Sequence, residues 1–227
     1  MTKTNPIISI EDLHLTLPSL AGPVHILRGM NLKVDAGESL GITGPSGSGK
    51  TSLLLVISGL EAASRGKIHI AAQDLAAMNE DQRALFRRHH LAMVFQAFHL
   101  IPTLTALENV AVPIEFQRQA QARKIASEAL ERVGLGHRLS HHPGQLSGGE
   151  QQRVAIARAI AADVPILLAD EPTGNLDQKT GHEIIELLFS LAEEKKKTLI
   201  FVTHDEELAA RCSRRAHVRD GQIEEIK

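Results

Sequence analysis

The sequence contains neither tryptophan nor tyrosine, and six phenylalanines bring the aromatic content to only 3%. Its single cysteine, Cys212, cannot form a disulfide within the chain, so we expect a cytosolic rather than a secreted protein. Neither sign of charge is in excess, because 25 basic and 27 acidic residues give a formal net charge of −2. This balance excludes a protein that coats nucleic acid through a generally basic surface.

Long apolar runs are also missing. The longest one, around Leu53–Ile57, is far shorter than the ~20 residues that cross a bilayer as a helix. The segment Met1–Ile10 lacks the apolar region of a signal peptide, so we expect the chain to reach a membrane only through a partner. At 227 residues and 43% hydrophobic content, the chain is long enough for one large domain or for a core with an inserted lobe.

Short apolar runs alternate with helical patterns, which predicts an α/β fold with a mainly parallel sheet. Strands are predicted at Ile7–Leu15, Val24–Val34, Glu38–Thr43, Lys67–Ala71, Leu91–Phe95, Ile166–Ala169 and Thr198–Val202, with a closing pair around Asp220-Gly221. Helices are predicted at Lys50–Ser58, Thr105–Val112, Gln119–Val133, Ser147–Ala162 and Thr180–Lys196, and Pro113 is expected to disturb the second of these. We expect a single domain in which a core of residues 1–95 and 165–227 is interrupted by a helical lobe at about 96–164.

One glycine-rich segment fits the phosphate-binding P-loop pattern GxxxxGK[ST]. It consists of Gly44, Pro45, Ser46, Gly47, Ser48, Gly49, Lys50 and Thr51, with Ser52 next on the helix. Backbone N–H groups and the positive end of the helix suit phosphate, Lys50 suits the β- and γ-phosphates, and the Thr51 hydroxyl suits Mg²⁺. The alternative is a plain glycine-rich turn, but the position between a predicted strand and helix favours the P-loop.

Two acidic residues follow an apolar strand later in the chain. Asp170 ends the run Ile166–Asp170 and Glu171 comes next. Beside a P-loop, Asp170 can hold Mg²⁺ and Glu171 can polarise a water molecule that attacks the γ-phosphate. Alone, such a run is a strand that meets a solvated turn, so this interpretation depends on the P-loop.

A third motif is the start of a helix with capping-box spacing, Ser147 to Glu150. Together with Gly148 and Gly149 it provides free N–H groups that suit an anion, which these residues do not identify.

These motifs resemble the ATPase subunit of ATP-binding cassette (ABC) transporters over essentially the whole chain. The resemblance implies an ABC ATPase fold, in which a RecA-like core carries an inserted helical subdomain and an N-terminal antiparallel β element. It further implies that Leu146-Ser147-Gly148-Gly149-Glu150 is the signature motif, which closes over the ATP bound by a second, head-to-tail copy. By the same resemblance Gln96 is the Q-loop glutamine that contacts Mg²⁺ and water, and His204 is the switch histidine. The D-loop comprises Asn175, Leu176 and Asp177.

The resemblance narrows to the lipoprotein-release and macrolide-export branch. Gly174-Asn175 stands where many importers carry Ser-Ala, and Phe98–Val110 fits the same branch. The overall pattern is similar to YbbA-type ATPases. This resemblance implies that the ATPase drives conformational work on a large permease with a periplasmic domain rather than simple translocation.

One position departs from the family pattern. Leu17 stands where most members place an aromatic residue that stacks on adenine. An aliphatic side chain covers one face of the base but does not stack as a ring does, so we expect weaker ATP binding and poor discrimination between ATP and GTP.

The expected function is an ATPase with ATP and Mg²⁺ as cofactors. Its expected partners are a second copy and an integral membrane permease, with no nucleic acid, at the cytoplasmic face of the membrane. The segment from Lys50 to Ser147 has no sustained heptads, which argues against a chromosome-organising ATPase with a long coiled coil. A translation-associated protein would carry two cassettes. The remaining alternative is an ATP-binding regulatory scaffold with little hydrolysis of its own.

Overall fold

The computed structural model describes residues 6–20 and 22–226. Where a prediction includes residues 1–5, 21 or 227, that part of the prediction lies outside the described residues. The strands are β1 (Ile8–Leu17), β2 (Val24–Val34), β3 (Ser39–Thr43), β4 (Arg65–Ile70), β5 (Gln73–Asp74), β6 (Leu91–Phe95), β7 (Ile166–Asp170), β8 (Thr198–Val202), β9 (Arg214–Arg219) and β10 (Gln222–Ile226). The helices are α1 (Lys50–Ile57), α2 (Glu80–His90), α3 (Ala106–Phe116), α4 (Ala122–Arg132), α5 (Gly148–Ala161), α6 (Gln178–Glu194) and α7 (Glu206–Ala209).

The chain divides into two compact units. The first comprises Met1–His90 and Thr198–Lys227, and the second comprises Leu91–Lys197. The sequence predicts a helical lobe at about 96–164 within the core. The limits of the two units differ from those of the predicted lobe, so the lobe stays a prediction.

In the first unit β1 is the centre of an antiparallel sheet of order β2-β1-β4-β5. Alternate residues of β1, Ile8 and Ile10, are buried. A bulge at Asp12, with φ of +48°, then shifts the alternation so that Leu13 and Leu15 are buried as well. This sheet is the N-terminal antiparallel β element that the family resemblance implied.

The first unit also contains parallel strand pairs. β3 pairs in parallel with β8 on one side and β9 on the other, and β10 pairs antiparallel with β9. Ile42 of β3 lies opposite Val202 of β8, so both strands end at the same edge. All five residues of β8 are buried, which fits a strand covered on both faces.

The second unit is a parallel strand pair accompanied by four α-helices, α3 to α6, and two short 3₁₀-helices at Gly136–Arg138 and Pro143–Gln145. β6 and β7 pair from Leu91 opposite Ile166 to Phe95 opposite Asp170, and every residue of β7 is buried. Helix α5 contacts α3, α4 and α6, and eight of its residues are buried, which makes it the central helix of the unit. No helix in the described part of the chain has the length and apolarity needed to cross a bilayer.

The predicted end of helix α3 at Val112, with a disturbance at Pro113, was wrong. Helix α3 continues through Pro113 to Phe116. A proline in a helix removes one hydrogen bond to the carbonyl four residues earlier. The buried side chains of Val110, Ala111 and Ile114 flank this position and stabilise the helical conformation through packing.

Candidate functional site

The loop between β3 and α1 carries the phosphate-binding pattern. Its glycines have positive φ angles, 142° at Gly44, 78° at Gly47 and 104° at Gly49. A Cβ at Gly44 would lie 2.0 Å from the carbonyl oxygen of Val218, so only glycine fits there. The predicted order of strand, glycine-rich loop and helix is therefore present in the structure.

The donors of this loop suit an anion. Lys50, the first residue of α1, is only 6% exposed, and its Nζ donates to the carbonyl oxygens of Gly44 (2.8 Å) and Pro45 (2.9 Å). Ser48 Oγ is buried and has no hydrogen-bond partner among the residues that the structure describes. A buried ammonium group and an unsatisfied hydroxyl fit a nucleotide phosphate, because charge-assisted hydrogen bonds to phosphate would satisfy both.

His204 lies at the same strand edge as this loop. It follows β8, whose C-terminal end is level with that of β3, and the Thr203 N–H donates to the Ile42 carbonyl oxygen at 3.1 Å. The next residue, Asp205, caps α7 by accepting from the N–H groups of Glu207 and Leu208. The structure thus brings His204 and the glycine-rich loop together, as parallel neighbouring strands require.

Leu17, the expected adenine contact, is half-buried near the end of the β1–β2 pair and lies opposite Val24. Further along the same pair, Leu27 of β2 packs against the loop, since a Cβ at Gly49 would lie 3.0 Å from Leu27 Cδ2. Leu17 therefore lies on the strand pair whose second strand contacts the glycine-rich loop. No ring occupies position 17.

The second unit holds the two acidic residues. Asp170 ends β7 and is 8% exposed, and Glu171 follows with φ of +42°. A left-handed conformation costs a non-glycine residue roughly 1–2 kcal/mol, and such strain is concentrated at functional sites. The Glu171 carbonyl oxygen accepts from the Gly174 N–H at 3.0 Å, which closes the turn after the strand.

Gln96 leaves the same edge of this strand pair, because Phe95 lies opposite Asp170. Its side chain and backbone both bond to Asn175, from the expected D-loop. The structure therefore brings together Gln96, the two acidic residues and the D-loop within the second unit.

The expected signature forms the start of helix α5. Ser147 Oγ accepts from the Glu150 N–H at 3.3 Å, and Glu150 Oε2 accepts from the Ser147 N–H at 2.8 Å, a complete capping box. Hydrogen bonds to the Glu150 carboxylate from the Ser147 N–H and hydroxyl, together with the nearby Arg138 guanidinium, lower the pKa of Glu150 below its usual value against the opposing effect of burial. Gly148 and Gly149 occupy the first turn, whose N–H groups have no acceptor within the helix.

The expected D-loop packs on the signature helix. A Cβ at Gly148 would lie 3.3 Å from Leu176 Cδ2, and a Cβ at Gly149 would lie 2.5 Å from Thr180 Cγ2. Asp177 caps α6, and its pKa is lowered mainly by its hydrogen bonds with Thr180.

Sequence reasoning missed two polar residues that shape this unit. Asn109, only 1% exposed, accepts from the Ile101 N–H and donates to the carbonyl oxygens of Ile101, Leu104 and Thr105. Arg138 donates to Glu150. An asparagine among the apolar residues of a helical pattern is a signal that could have identified the first. No local pattern identifies the second.

A comparison with known families decides the identity. Residues 27–174 match the profile described as ABC transporter, which is more than half of the chain. The chain belongs to the ABC transporter family. The family resemblance seen in the sequence is confirmed.

Individual relatives match this ABC transporter protein over nearly its full length. It is 48% identical to the uncharacterized ABC transporter ATP-binding protein YbbA of Escherichia coli, with 97% of this chain and 99% of YbbA covered. It is 41% identical to the lipoprotein-releasing system ATP-binding protein LolD of Acinetobacter baylyi, with 95% and 96% covered. The macrolide export ATP-binding/permease protein MacB of Chlorobium luteolum is 44% identical over 98% of this chain and 34% of MacB.

Solved structures agree with the fold. The ABC cassette MJ0796, described as the dimeric structure of a post-hydrolysis state bound to ADP and Pi, is 41% identical. Its TM-score is 0.90, and 97% of each chain is covered. The chain has the ABC ATPase fold, and it is the ATP-binding and ATP-hydrolysing subunit of an ABC transporter. The comparisons do not favour the alternative of a scaffold with little hydrolysis.

Proposed function

We propose that two copies of this ABC transporter ATPase bind two Mg·ATP head to tail, and that their closure drives a conformational change in a separate membrane permease. The observation that carries the proposal is the glycine-rich loop with its buried Lys50 amine and unsatisfied Ser48 hydroxyl. The dimeric description of MJ0796 supports the pairing of copies, and the lipoprotein-releasing and macrolide-export relatives support a permease partner.

In this proposal the loop residues bind the phosphates. They are Gly44, Pro45, Ser46, Gly47, Ser48, Gly49, Lys50, Thr51 and Ser52. Lys50 exchanges its bonds to loop carbonyl oxygens for bonds to the β- and γ-phosphates. Leu17 covers one face of adenine.

Mg²⁺ is assigned to the oxygen donors Thr51, Asp170 and Gln96. A hydroxyl, a carboxylate and an amide oxygen are the hard ligands that Mg²⁺ prefers, so the donor set fits the ion. When bound, the ion neutralises charge that develops on the phosphates.

Hydrolysis is assigned to Glu171 as general base and His204 as a γ-phosphate contact. Glu171 takes a proton from the attacking water, and Lys50 stabilises charge on the transferred group. Ser147, Gly148, Gly149 and Glu150 of the second copy close over the same phosphate, and the D-loops, at Asn175, Leu176 and Asp177, bridge the copies.

We place the contact with the permease on the loop from Phe98 to Leu104. Ile101 there is 44% exposed, an apolar side chain presented to solvent. Asn109 fixes the second half of this loop, and Arg158 donates to the Phe98 (2.9 Å) and His99 (2.6 Å) carbonyl oxygens. A rigid apolar loop suits a surface that transmits force. The ATPase would then sit on the cytoplasmic face of the membrane.

The test is steady-state phosphate release by the purified chain alone and with the membrane protein that copurifies with it. We expect hydrolysis that depends on Mg²⁺ and Lys50 and that the permease stimulates. Hydrolysis that is unchanged by Lys50→Ala would contradict the loop assignment. Failure to copurify any membrane protein under mild detergent would contradict the permease assignment.

A further inference from the structure

The side chain of Gln96 is held by two consecutive residues, Gly174 and Asn175, which we call the Gln96 clasp. Asn175 Nδ2 donates to the Gln96 backbone carbonyl oxygen at 3.0 Å, and Gln96 Nε2 donates to Asn175 Oδ1 at 3.4 Å. Both residues belong to the second unit, so the contact is internal to it.

The first bond determines the orientation of both amides. A backbone carbonyl can only accept, so the NH₂ end of Asn175 must face it. Asn175 Oδ1 is then the end that faces the Gln96 side chain, and only the NH₂ end of Gln96 can donate to it. Gln96 Oε1 is therefore directed away from Asn175.

Gly174 provides the space for this arrangement. A Cβ at this position would lie 2.5 Å from Gln96 Nε2 and 2.9 Å from Gln96 Cδ. The φ of Gly174 is not positive, so its backbone does not itself demand glycine. The three atoms nearest to such a Cβ all belong to the Gln96 side chain, so a larger residue at position 174 would displace that side chain.

From this geometry we infer that Asn175 is a positioning residue for hydrolysis: it holds the Gln96 amide so that the oxygen, not the nitrogen, is presented to Mg²⁺ and water. The inference rests on the proposed role of Gln96. An amide oxygen is a suitable ligand for Mg²⁺, whereas the NH₂ group has no lone pair to offer. Without the clasp, Gln96 would populate both amide orientations and several rotamers.

The activity test uses Asn175→Ala and Gly174→Ala, each in the wild-type and the Gln96→Ala background. We expect each single variant to lower kcat by about tenfold and to raise the Mg²⁺ concentration for half-maximal activity, with ATP affinity measured without Mg²⁺ unchanged. In the Gln96→Ala background neither substitution should have a further effect, because the side chain that they act on is gone. Gly144→Ala is the matched control, since a Cβ there meets nothing within 4 Å.

The contact itself is tested by NMR of the side-chain NH₂ groups, with the Gln96 signal assigned by its loss in Gln96→Ala. We expect slow solvent exchange of this NH₂ group in wild type and fast exchange in Asn175→Ala. An unchanged signal in Asn175→Ala would overturn the clasp. Additive losses of kcat in the Gln96→Ala background would overturn the positioning role. A wild-type kcat in Gln96→Ala itself would instead remove Gln96 from the proposed function, and the inference with it.

Discussion

Arg138 Nε donates to Glu150 Oε1 at 3.1 Å, while the other carboxylate oxygen of Glu150 accepts from the Ser147 backbone. The pair lies at the N-terminus of α5, where the proposed function places the γ-phosphate that a second copy binds. A carboxylate at that position repels phosphate, so Arg138 compensates its charge.

We expect Arg138→Ala to lower ATP hydrolysis roughly three- to tenfold, because the pair is only partly exposed and the lost compensation is not fully screened by water. Arg138→Ala combined with Glu150→Gln should recover part of that loss. The control is Arg123→Ala, which removes the arginine 3.7 Å from Glu108, the acidic residue of the capping box that Thr105 and Glu108 form at the start of α3. Phosphate release is measured for all of these variants. If Arg138→Ala lowers hydrolysis equally in the wild-type and in the Glu150→Gln background, charge is not the reason for the loss.

Replacement of Glu171, the proposed general base, should separate binding from hydrolysis. Glu171→Gln keeps the size of the side chain and one acceptor oxygen, but the amide cannot take a proton from water. We expect hydrolysis to fall by about 10²-fold or more while ATP still binds, so that a dimer persists in gel filtration with ATP and disappears without it. Wild-type turnover in this variant would remove Glu171 from its role.

A ring at position 17 should restore base stacking. Leu17→Tyr is expected to tighten ATP binding by about tenfold if the stack contributes ~1.4 kcal/mol, and to improve discrimination against GTP. His25→Tyr is the control, because successive side chains of β2 alternate faces and His25 pairs with Thr16 rather than with Leu17. Isothermal titration calorimetry measures both variants, and an unchanged dissociation constant for Leu17→Tyr would contradict the assignment.

Much of this arrangement follows from local pattern. The strand, loop and helix around Lys50 were predicted closely, since glycines, a helix start and apolar periodicity are short-range signals. The contact between Gln96 and Asn175 joins residues 79 positions apart. The sequence marks Gly174-Asn175 as typical of a branch, but only the folded chain shows which side chain the pair contacts.

Errors in the prediction have equally specific causes. Pro113 is a helix breaker by its own chemistry, but three buried neighbours override that preference. The helix predicted from Thr180 begins two residues earlier, because Asp177 accepts from the Thr180 N–H and sets the start. The sequence analysis identifies Asp177 only as part of the D-loop and not as the N-cap of this helix.

Asn109 should support the loop that we assign to the permease. Asn109→Ala leaves several backbone groups of residues 101–105 without their partner, so we expect the free energy of unfolding to fall by about 1–3 kcal/mol. Permease stimulation should fall while ATP binding is retained. Urea denaturation measures the first effect, with the exposed Asn31→Ala as control. Equal stability of the two variants would contradict the structural role.

Burial should make Cys212 unreactive. It raises the pKa of the thiol from 9.0 to about 12, so the thiolate that reacts with disulfide reagents is scarce at pH 8. We expect reaction only after unfolding.

The pKa of this thiol is higher in the folded than in the unfolded state, so its contribution to the stability of the fold is fully present below pH 9. Between pH 9 and 12 the free energy of unfolding falls by about 1.4 kcal/mol per pH unit. Cys212→Ala should lose this part of the alkaline dependence, and rapid labelling of the native protein would contradict the burial.

The bonds from Lys50 to the Gly44 and Pro45 carbonyl oxygens bear on how fast the nucleotide binds. Lys50 links the end of the loop to its start through these two bonds, so its own side chain restrains the loop conformation. A pre-ordered loop loses little conformational entropy on binding, and the ligand has only to exchange places with two carbonyl groups. Nucleotide capture should then be governed by diffusion and charge rather than by refolding of the loop.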